Sequence, residues 1–153
     1  MSEKSGLFPG SFDPFTKGHE AVVRKSLDVF DHVVIGVGVN TSKKYMFSLD
    51  RRIAHIEALF KDTNQITVQS FHTLTVNFCK EINATHIIRG LRNSKDFQYE
   101  KSIAHMNFDI SGVETVFFLT DQQYAAISST IIREIYKNKG PIDSFVTMPE
   151  LLV

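Results

Sequence analysis

A segment near the start of the chain combines residue types that bind anions. Residues 9–14 read Pro-Gly-Ser-Phe-Asp-Pro, and residues 16–19, Thr-Lys-Gly-His, open a predicted helix. Glycine lets a backbone approach phosphate oxygens closely, and the free amides at a helix start favour anions. His19, in the first turn of that helix, adds a directed donor. The segment predicts a phosphate-binding loop, although a tight turn with a surface histidine would show the same residues.

Three basic residues could neutralise phosphate charge. Lys43 lies in a polar loop after the second predicted strand, and Arg89 and Arg92 follow the fourth. Cations and backbone donors are the groups that stabilise phosphoryl oxygens. Taken alone, each residue is also compatible with a solvated surface charge. Their chemistry therefore depends on whether the fold brings them together.

Two common nucleotide-binding signatures do not occur in the sequence. Gly36-Val37-Gly38 resembles part of a dinucleotide fingerprint, but it lies inside a predicted strand and lacks the third glycine. No G-x-x-x-x-G-K-[ST] run occurs, which counts against a P-loop kinase. Cys79 follows Phe78 in an apolar setting and is interpreted as a core residue. A nucleotide would have to be held by other groups.

The elements that must position these residues alternate between strand and helix. Apolar runs predict five strands, near residues 5–8, 32–39, 66–68, 85–88 and 113–119. Apolar stripes at helical spacing predict a helix after each strand, and Ser48 is a candidate cap for the second helix. This alternation predicts an α/β fold with a doubly wound five-stranded parallel sheet.

Such a sheet also predicts where a ligand would bind. Ligands of open α/β sheets lie outside the carboxyl ends of the strands, near the point where the winding reverses. The polar segments that follow the predicted strands are 9–19, 40–48, 71–75, 89–96 and 120–130. Nearly all the candidate residues fall within these segments, so the sequence predicts one site at one edge of the sheet.

The overall composition narrows the class of protein. The chain has 153 residues, 42% hydrophobic and 22% charged, which predicts a single domain over residues 1–153. The 17 basic and 17 acidic residues balance, so no net field favours nucleic acid or an anionic membrane. The first residues form no apolar signal region and no later stretch approaches a membrane span. A cytoplasmic location is expected.

Four motifs together resemble one family of enzymes. Residues 10–14, Gly-Ser-Phe-Asp-Pro, with Thr16-x-Gly18-His19 are similar to the signature of the nucleotidyltransferase superfamily that carries H-x-G-H. Threonine in the first histidine's place is the form that phosphopantetheine adenylyltransferases show. The other matches to that family are its central block at 89–92, 96–100 and 104–107, its serine motif at 127–130, and the Ser-Lys-Lys-x-Met-Phe run at 42–47.

The resemblance implies a fold, a reaction and an assembly. The fold is the Rossmann-like nucleotidyltransferase fold. The reaction transfers the adenylyl group of ATP to 4′-phosphopantetheine, giving dephospho-coenzyme A and pyrophosphate by direct in-line attack without a covalent intermediate. Mg²⁺ is the implied cofactor, held mainly by the phosphates because no carboxylate cage is evident in the sequence. A homohexamer and feedback binding of coenzyme A in the same pocket are also implied.

The resemblance also assigns roles to residues. It implies His19, Lys43 and Arg92 as catalytic residues. The residues implied to bind ATP are Ser11, Phe12, His19, Gly90, Leu91, Arg92, Glu100, Tyr124, Ala125, Ala126, Ile127, Ser128, Ser129 and Thr130. The residues implied to bind the acceptor are Ser11, Lys43, Thr75 and Arg89. Without the resemblance, Glu100 would be interpreted as a surface residue of its helix.

Three positions depart from the family's usual pattern. Ser11 stands where the family commonly has threonine, and it keeps the hydroxyl. Tyr45 stands where proline is common, which affects the conformation of its loop. Thr75 stands where the family often has a larger apolar residue against the pantetheine arm. Leu74, Asn77 and Met106 are expected to complete a long, mixed groove for that arm.

Three other functions are compatible with some of the same residues. Residues 127–130 followed by Arg133 also resemble the C-terminal motif of nicotinate and nicotinamide mononucleotide adenylyltransferases, although Thr16 and the 89–107 block argue against that family. A glycerol-phosphate cytidylyltransferase is a weaker alternative. A non-catalytic nucleotide-binding sensor on the same fold is the alternative from another class. The full set of cations with His19 favours an enzyme, because a sensor needs no donors reserved for a transition state.

Overall fold

Five parallel strands form one sheet in the order β3-β2-β1-β4-β5 in this computed structural model, which describes residues 2–153. Helices connect successive strands, so the predicted doubly wound α/β fold is confirmed. The elements are β1 Ser5–Gly10, α1 Lys17–Ser26, β2 His32–Gly38, α2 Leu49–Leu59, β3 Ile66–Phe71, α3 Thr75–Glu81, β4 His86–Leu91, α4 Ser94–Ser111, β5 Glu114–Leu119 and α5 Ser129–Lys137, with 3₁₀ turns at Gln122–Tyr124 and Pro149–Leu152.

The central strands are buried on both faces, as their continuous apolar runs predict. On one face Val33, Ile35 and Ile88 pack with Val23 of α1 and Ile56 of α2. On the other face a second cluster joins the sheet to α3 through Leu7, Val34, Ile87, Val76 and Cys79. The interpretation of Cys79 as a core residue is confirmed, because its side chain is fully buried.

Side-chain caps fix where the helices begin. The Ser48 side chain accepts a hydrogen bond from the Arg51 amide, which confirms the predicted cap of α2. Thr16 caps α1, Asn93 caps α4 and Ser128 caps α5 in the same way. All four of these caps lie within the polar segments that follow the predicted strands. Within residues 2–153, no helix is both long enough and apolar enough to cross a bilayer.

The first and fourth strands extend further than predicted. Pro9 and Gly10 pair with β2, and Arg89 to Leu91 pair with β5, although the sequence analysis places both segments in loops. The apolar runs end earlier because strand pairing is made by the backbone and tolerates polar side chains near the strand's end. Arg89 and Gly90 are therefore held rigidly in the sheet.

The sheet opens between β1 and β4, where the winding reverses. These two strands pair only at Gly6 with His86 and at Leu7 with Ile87, while each continues to pair with its outer neighbour. A crevice consequently forms at the carboxyl ends of β1 and β4, which is the position expected for a ligand in this class of sheet.

Candidate active site

Two adjoining cavities occupy the crevice. The first has a volume of about 330 Å³ and lies between the 9–19 loop, the end of β4 and the start of α5. The second, of about 290 Å³, lies between the end of β1, the 38–45 loop and the start of α3. Both are lined by Pro9, Gly10, Ser11 and Arg89. A ligand in one cavity would therefore lie beside a ligand in the other.

The structure brings most of the predicted ATP-binding residues together in the first cavity. Those that line it are Ser11, Phe12, His19, Gly90, Arg92, Glu100, Ile127, Ser128, Ser129 and Thr130. Leu91 is a half-buried residue of β4 paired with Leu119. Tyr124 and Ala126 line a neighbouring apolar depression, and Ala125 follows the 3₁₀ turn that leads to it. The cavity therefore gathers its lining from three separate stretches of the chain.

All four predicted acceptor-binding residues, Ser11, Lys43, Thr75 and Arg89, line the second cavity. The expected groove residues beyond Thr75 do not line it. Leu74 and Met106 are more than 60% exposed, and Asn77 is also exposed. Leu74 lies at the cap position of α3, outside this cavity, so a groove for the pantetheine arm along these residues stays a prediction.

His19 lies at the floor of the first cavity, and its orientation is fixed by the chain itself. Its Nδ1 atom accepts a 3.0 Å hydrogen bond from the Thr16 amide, while its own amide donates to the Thr16 hydroxyl at 3.2 Å. A backbone amide only donates, so Nδ1 carries no proton and the proton of the neutral ring lies on Nε2. His19 can therefore present one N–H donor to an anion.

The surroundings of His19 keep its ring neutral. Burial among aromatic rings, followed by the positive charges of Arg89 and Arg92, lowers its pKa from 6.5 to about 3. The ring centroid lies 5.0 Å from that of Phe12 and 5.3 Å from that of Phe15. Phe12 itself is buried with a φ of 49°, a backbone conformation that side chains rarely adopt. The first loop therefore carries backbone strain at Phe12, the residue that packs against the His19 ring.

Arg89 bridges the gap between the separated strands. Its Nη1 donates to the Pro9 carbonyl at 2.6 Å, and its Nε and Nη2 donate to the two carboxylate oxygens of Glu100 at 2.9 and 2.6 Å. Glu100 is 8% exposed, so its interpretation as a surface residue is wrong. The residue lies on the face of α4 that packs on β4, and its carboxylate orients Arg89 at the boundary of the two cavities.

Arg92 joins the two helices on the far side of the first cavity. Its side chain donates to the Asp96 carboxylate through Nε at 3.1 Å, and to the Ile127 carbonyl through Nη1 at 2.9 Å. The start of α4 is thereby tied to the segment that leads into α5. About a third of the Arg92 side chain remains exposed, so the guanidinium can still meet a ligand.

The start of α5 is fastened to the first loop. The Ser129 hydroxyl donates to the Pro14 carbonyl at 3.0 Å, and Arg133 donates to the Asp13 carbonyl at 2.9 Å. Arg133 also bonds the Thr130 hydroxyl at 3.2 Å and lines the cavity. The sequence analysis does not place Arg133 in the site. Its position one helical turn after Thr130 is the signal that could have done so.

Lys43 reaches the second cavity from an exposed loop. Its ammonium donates to the Ser11 hydroxyl at 3.3 Å, so Ser11 faces both cavities and one of the candidate cations. The loop is joined to the first loop behind the cavity, where the Asp13 carboxylate accepts from the Met46 and Phe47 amides at 2.8 and 2.9 Å. The sequence analysis missed this role of Asp13.

The chain matches one family model and several named relatives along most of its length. A family model described as cytidylyltransferase-like matches residues 7–135. The chain is 46% identical over 147 residues to a phosphopantetheine adenylyltransferase of Flavobacterium psychrophilum, with 96% of each chain covered. It is 47% identical to the protein of that name from Cytophaga hutchinsonii, covering 94% of this chain and 96% of the relative. The chain belongs to the phosphopantetheine adenylyltransferase family, which confirms the resemblance drawn from its motifs.

One solved structure supports the fold at greater distance. The bifunctional NMN adenylyltransferase/ADP ribose pyrophosphatase of Francisella tularensis, complexed with AMP and Mn ion, superposes with a TM-score of 0.71 and 18% sequence identity. The match covers 97% of this chain, which spans just under half, 46%, of that longer chain. At this identity the likeness confirms the nucleotidyltransferase fold.

Proposed function

We propose how the two cavities carry out the family's reaction, in which dephospho-coenzyme A is made from ATP and phosphopantetheine. In this account the first cavity holds ATP and the second holds the phosphate end of 4′-phosphopantetheine. The observation that carries the proposal is the shared wall: Ser11 and Arg89 line both cavities. The acceptor phosphate would thus approach the α-phosphorus directly, in line with departing pyrophosphate and without a covalent intermediate.

The reaction needs no general base. The attacking group is a phosphate monoester whose second pKa is about 6, so near neutral pH it is already mostly dianionic. The task of the protein is to align two anions and to neutralise the charge that builds on the α-phosphate and on the leaving pyrophosphate. A cavity lined by donors and cations suits that task, because Asp96 and Glu100 are paired to arginines and the Asp13 carboxylate accepts from two backbone amides.

His19 is the proposed donor to the α-phosphate in the transition state. Its Nδ1 is occupied by the Thr16 amide, which leaves Nε2–H as its one donor. A neutral donor of fixed tautomer needs no reorganisation when charge develops. The nearby positive charges of Arg89 and Arg92 oppose protonation of the ring, and they also raise the local potential for an anion.

The cations divide between the two substrates in this proposal. Lys43 and Arg89 hold the acceptor phosphate from either side of Ser11, and Arg92 acts on the phosphates of ATP. Lys43 and Arg92 also serve the transition state, as the catalytic residues alongside His19. The start of α5, at Ser128 to Thr130, supplies amides and hydroxyls to the nucleotide phosphates. Glu100 acts through Arg89, which revises its direct role at the nucleotide to a positioning role.

Mg²⁺ in the first cavity would be coordinated mainly by the phosphates of the nucleotide and not by protein side chains. Among residues 2–153 no group of three or more acidic, histidine or cysteine side chains could hold a metal by itself. Asp96 and Glu100, which line the cavity, are already paired with Arg92 and Arg89. Phosphate oxygens and water would therefore be the main ligands of Mg²⁺, which would supply neutralisation of the triphosphate charge.

The assembly state, the feedback binding of coenzyme A and the cellular location are further parts of this proposal. Self-association into a homohexamer is supported by α4, whose only buried residue is Glu100 although the helix carries several large apolar side chains. Feedback binding of coenzyme A in the acceptor cavity and a cytoplasmic location stay predictions.

The direct test is product analysis. Purified protein incubated with ATP, Mg²⁺ and 4′-phosphopantetheine should release pyrophosphate and form dephospho-coenzyme A in equal amounts. Formation of ADP, of inorganic phosphate, or of AMP without free pyrophosphate would contradict attack at the α-phosphorus. AMP and pyrophosphate without dephospho-coenzyme A would contradict the role of the acceptor.

A further inference from the structure

Tyr45 contacts two cations that belong to different parts of the fold. Its ring centroid lies 4.1 Å from the guanidinium carbon of Arg52 and 5.4 Å from the ammonium of Lys43. The ring is half-buried, and it lines the second cavity beside Lys43. Because Arg52 belongs to α2, a ring packed on it can restrict the position of the exposed Lys43 side chain.

Arg52 is the fixed end of this arrangement. It is 2% exposed, and its guanidinium donates to the Ser11 carbonyl at 2.7 Å and to the Phe47 carbonyl at 3.0 Å. Within residues 2–153 no carboxylate lies at ion-pair distance from it. Its direct partners are thus two carbonyls and the Tyr45 ring, with the charge of Asp13 nearby, and the ring helps to stabilise a buried cation.

The Tyr45 hydroxyl closes the loop that carries Lys43. It accepts from the Asn40 amide at 2.9 Å and donates to the Gly38 carbonyl at 3.5 Å, at the end of β2. The Lys43 amide in turn donates to the Asn40 carbonyl at 3.0 Å. The loop is therefore folded around the tyrosine, with the backbone of Lys43 held one turn from Asn40.

Lys43 is the exposed partner of the Tyr45 ring. A lysine side chain loses rotamer entropy when its ammonium is fixed by a ligand. Contact with the ring and with the Ser11 hydroxyl, 3.3 Å away, restricts that freedom before a ligand arrives. Holding the cation in place beforehand lowers the cost of binding a phosphate there.

We propose that Tyr45 is a positioning residue that holds the Lys43 ammonium beside Ser11 for the acceptor phosphate. The inference rests on the proposed role of Lys43 in binding that phosphate. Tyr45 would act on the acceptor and leave the nucleotide unaffected, because it lines the second cavity alone of the two. The ring, more than the hydroxyl, would carry the effect.

The test is a double-mutant cycle read out as KM for each substrate. Tyr45→Leu should raise the KM for 4′-phosphopantetheine by roughly fivefold, the factor that corresponds to one cation–π contact. The KM for ATP should stay within about twofold, which also verifies that the variant is folded. Tyr45→Phe keeps the ring but loses the hydroxyl bonds to Asn40 and Gly38, so it should raise the acceptor KM by clearly less than Tyr45→Leu does. In a Lys43→Met background, Tyr45→Leu should add less than about a twofold change, since its target is gone.

Two different failures can be told apart. A Tyr45→Leu effect of equal size with and without Lys43, or an equal rise in the KM for ATP, would overturn the inference and leave the role of Lys43 intact. Lys44→Met, in the exposed neighbour of Lys43, is the control for loss of charge from the loop. If Lys43→Met changes the acceptor KM no more than Lys44→Met does, the proposed role of Lys43 fails, and the role of Tyr45 fails with it.

Discussion

The Thr16 amide donates a 3.0 Å hydrogen bond to Nδ1 of His19, and this contact settles which nitrogen of the imidazole faces the cavity. The same two residues form a reciprocal cap, because the His19 amide donates to the Thr16 hydroxyl. The helix start therefore presets the tautomer of the histidine. His19 is therefore a neutral donor of fixed tautomer, which has consequences for both turnover and titration.

Replacement of His19 by alanine should lower turnover by roughly 10²–10³, the usual cost of one preorganised donor to a transition state. Affinity for ATP and thermal stability should change little, because the side chain's own contribution to the fold is a cap hydrogen bond and contacts with phenylalanine rings. Steady-state kinetics with isothermal titration of ATP measures both. Turnover equal to that of the unmodified enzyme would remove His19 from the catalytic set.

The neutral state of His19 should also be visible by NMR. Its pKa is lowered to about 3, so nitrogen shifts of the free protein should report one neutral tautomer, protonated on Nε2, throughout pH 5–8. The folded state then binds fewer protons than the unfolded state below pH 6.5, and this group's contribution to the free energy of unfolding is lost as pH falls from 6.5 towards 3. A titration midpoint near 6.5 would contradict the assignment.

Replacement of Arg89 should change both acceptor affinity and the stability that depends on its ion pair with Glu100. Arg89→Ala should weaken acceptor binding by about 1.5–3 kcal/mol, as expected for a charged hydrogen bond to phosphate, and change ATP affinity less. It should also destabilise the fold, because it leaves the Glu100 carboxylate buried without its partner.

The double variant Arg89→Met, Glu100→Gln separates the two effects. Stability should recover relative to Arg89→Ala, since no unpaired charge is left in the crevice, whereas acceptor affinity should stay low. Urea unfolding and isothermal titration give the two quantities. A larger loss of ATP affinity than of acceptor affinity would reassign Arg89 to the nucleotide.

Local patterns predicted the framework of the molecule. Continuous apolar runs in 32–39 and the cap at Ser48 were enough to place a central strand and the start of α2, because burial and capping leave short-range signatures. The predicted parallel sheet also placed the candidate residues at one of its edges, but their separate roles came only from the family resemblance. Pairing of Arg89 with Glu100 and of Asp13 with the 46–47 amides depends on how distant segments meet, and no spacing in the sequence encodes it.

The apolar face predicted for α4 was only partly an internal face. Phe97 and Phe108 are more than a third exposed, and Tyr99, Met106 and Ile110 are more exposed still. Tyr99, Ile103, Met106 and Ile110 recur at helical spacing and form one exposed apolar stripe, which marks an interaction surface that the proposed homohexamer would bury. Ile110→Lys should therefore convert the protein to smaller species in light scattering. Val29→Lys, which places the same charge on an exposed apolar site outside α4, should leave the assembly unchanged. Equal behaviour of the two variants would exclude α4 from the interface.

The choice of acceptor separates this enzyme from related adenylyltransferases. Every related adenylyltransfer uses a phosphate monoester as nucleophile, so the cations of the first cavity do not distinguish the acceptors, and the second cavity must. Pyrophosphate release from ATP with Mg²⁺ should be measured with 4′-phosphopantetheine and with nicotinate mononucleotide at matched concentrations. The account predicts a kcat/KM at least about a hundredfold higher for 4′-phosphopantetheine, which corresponds to roughly 2.7 kcal/mol in transition-state binding. Equal efficiencies, or a preference for the mononucleotide, would contradict it.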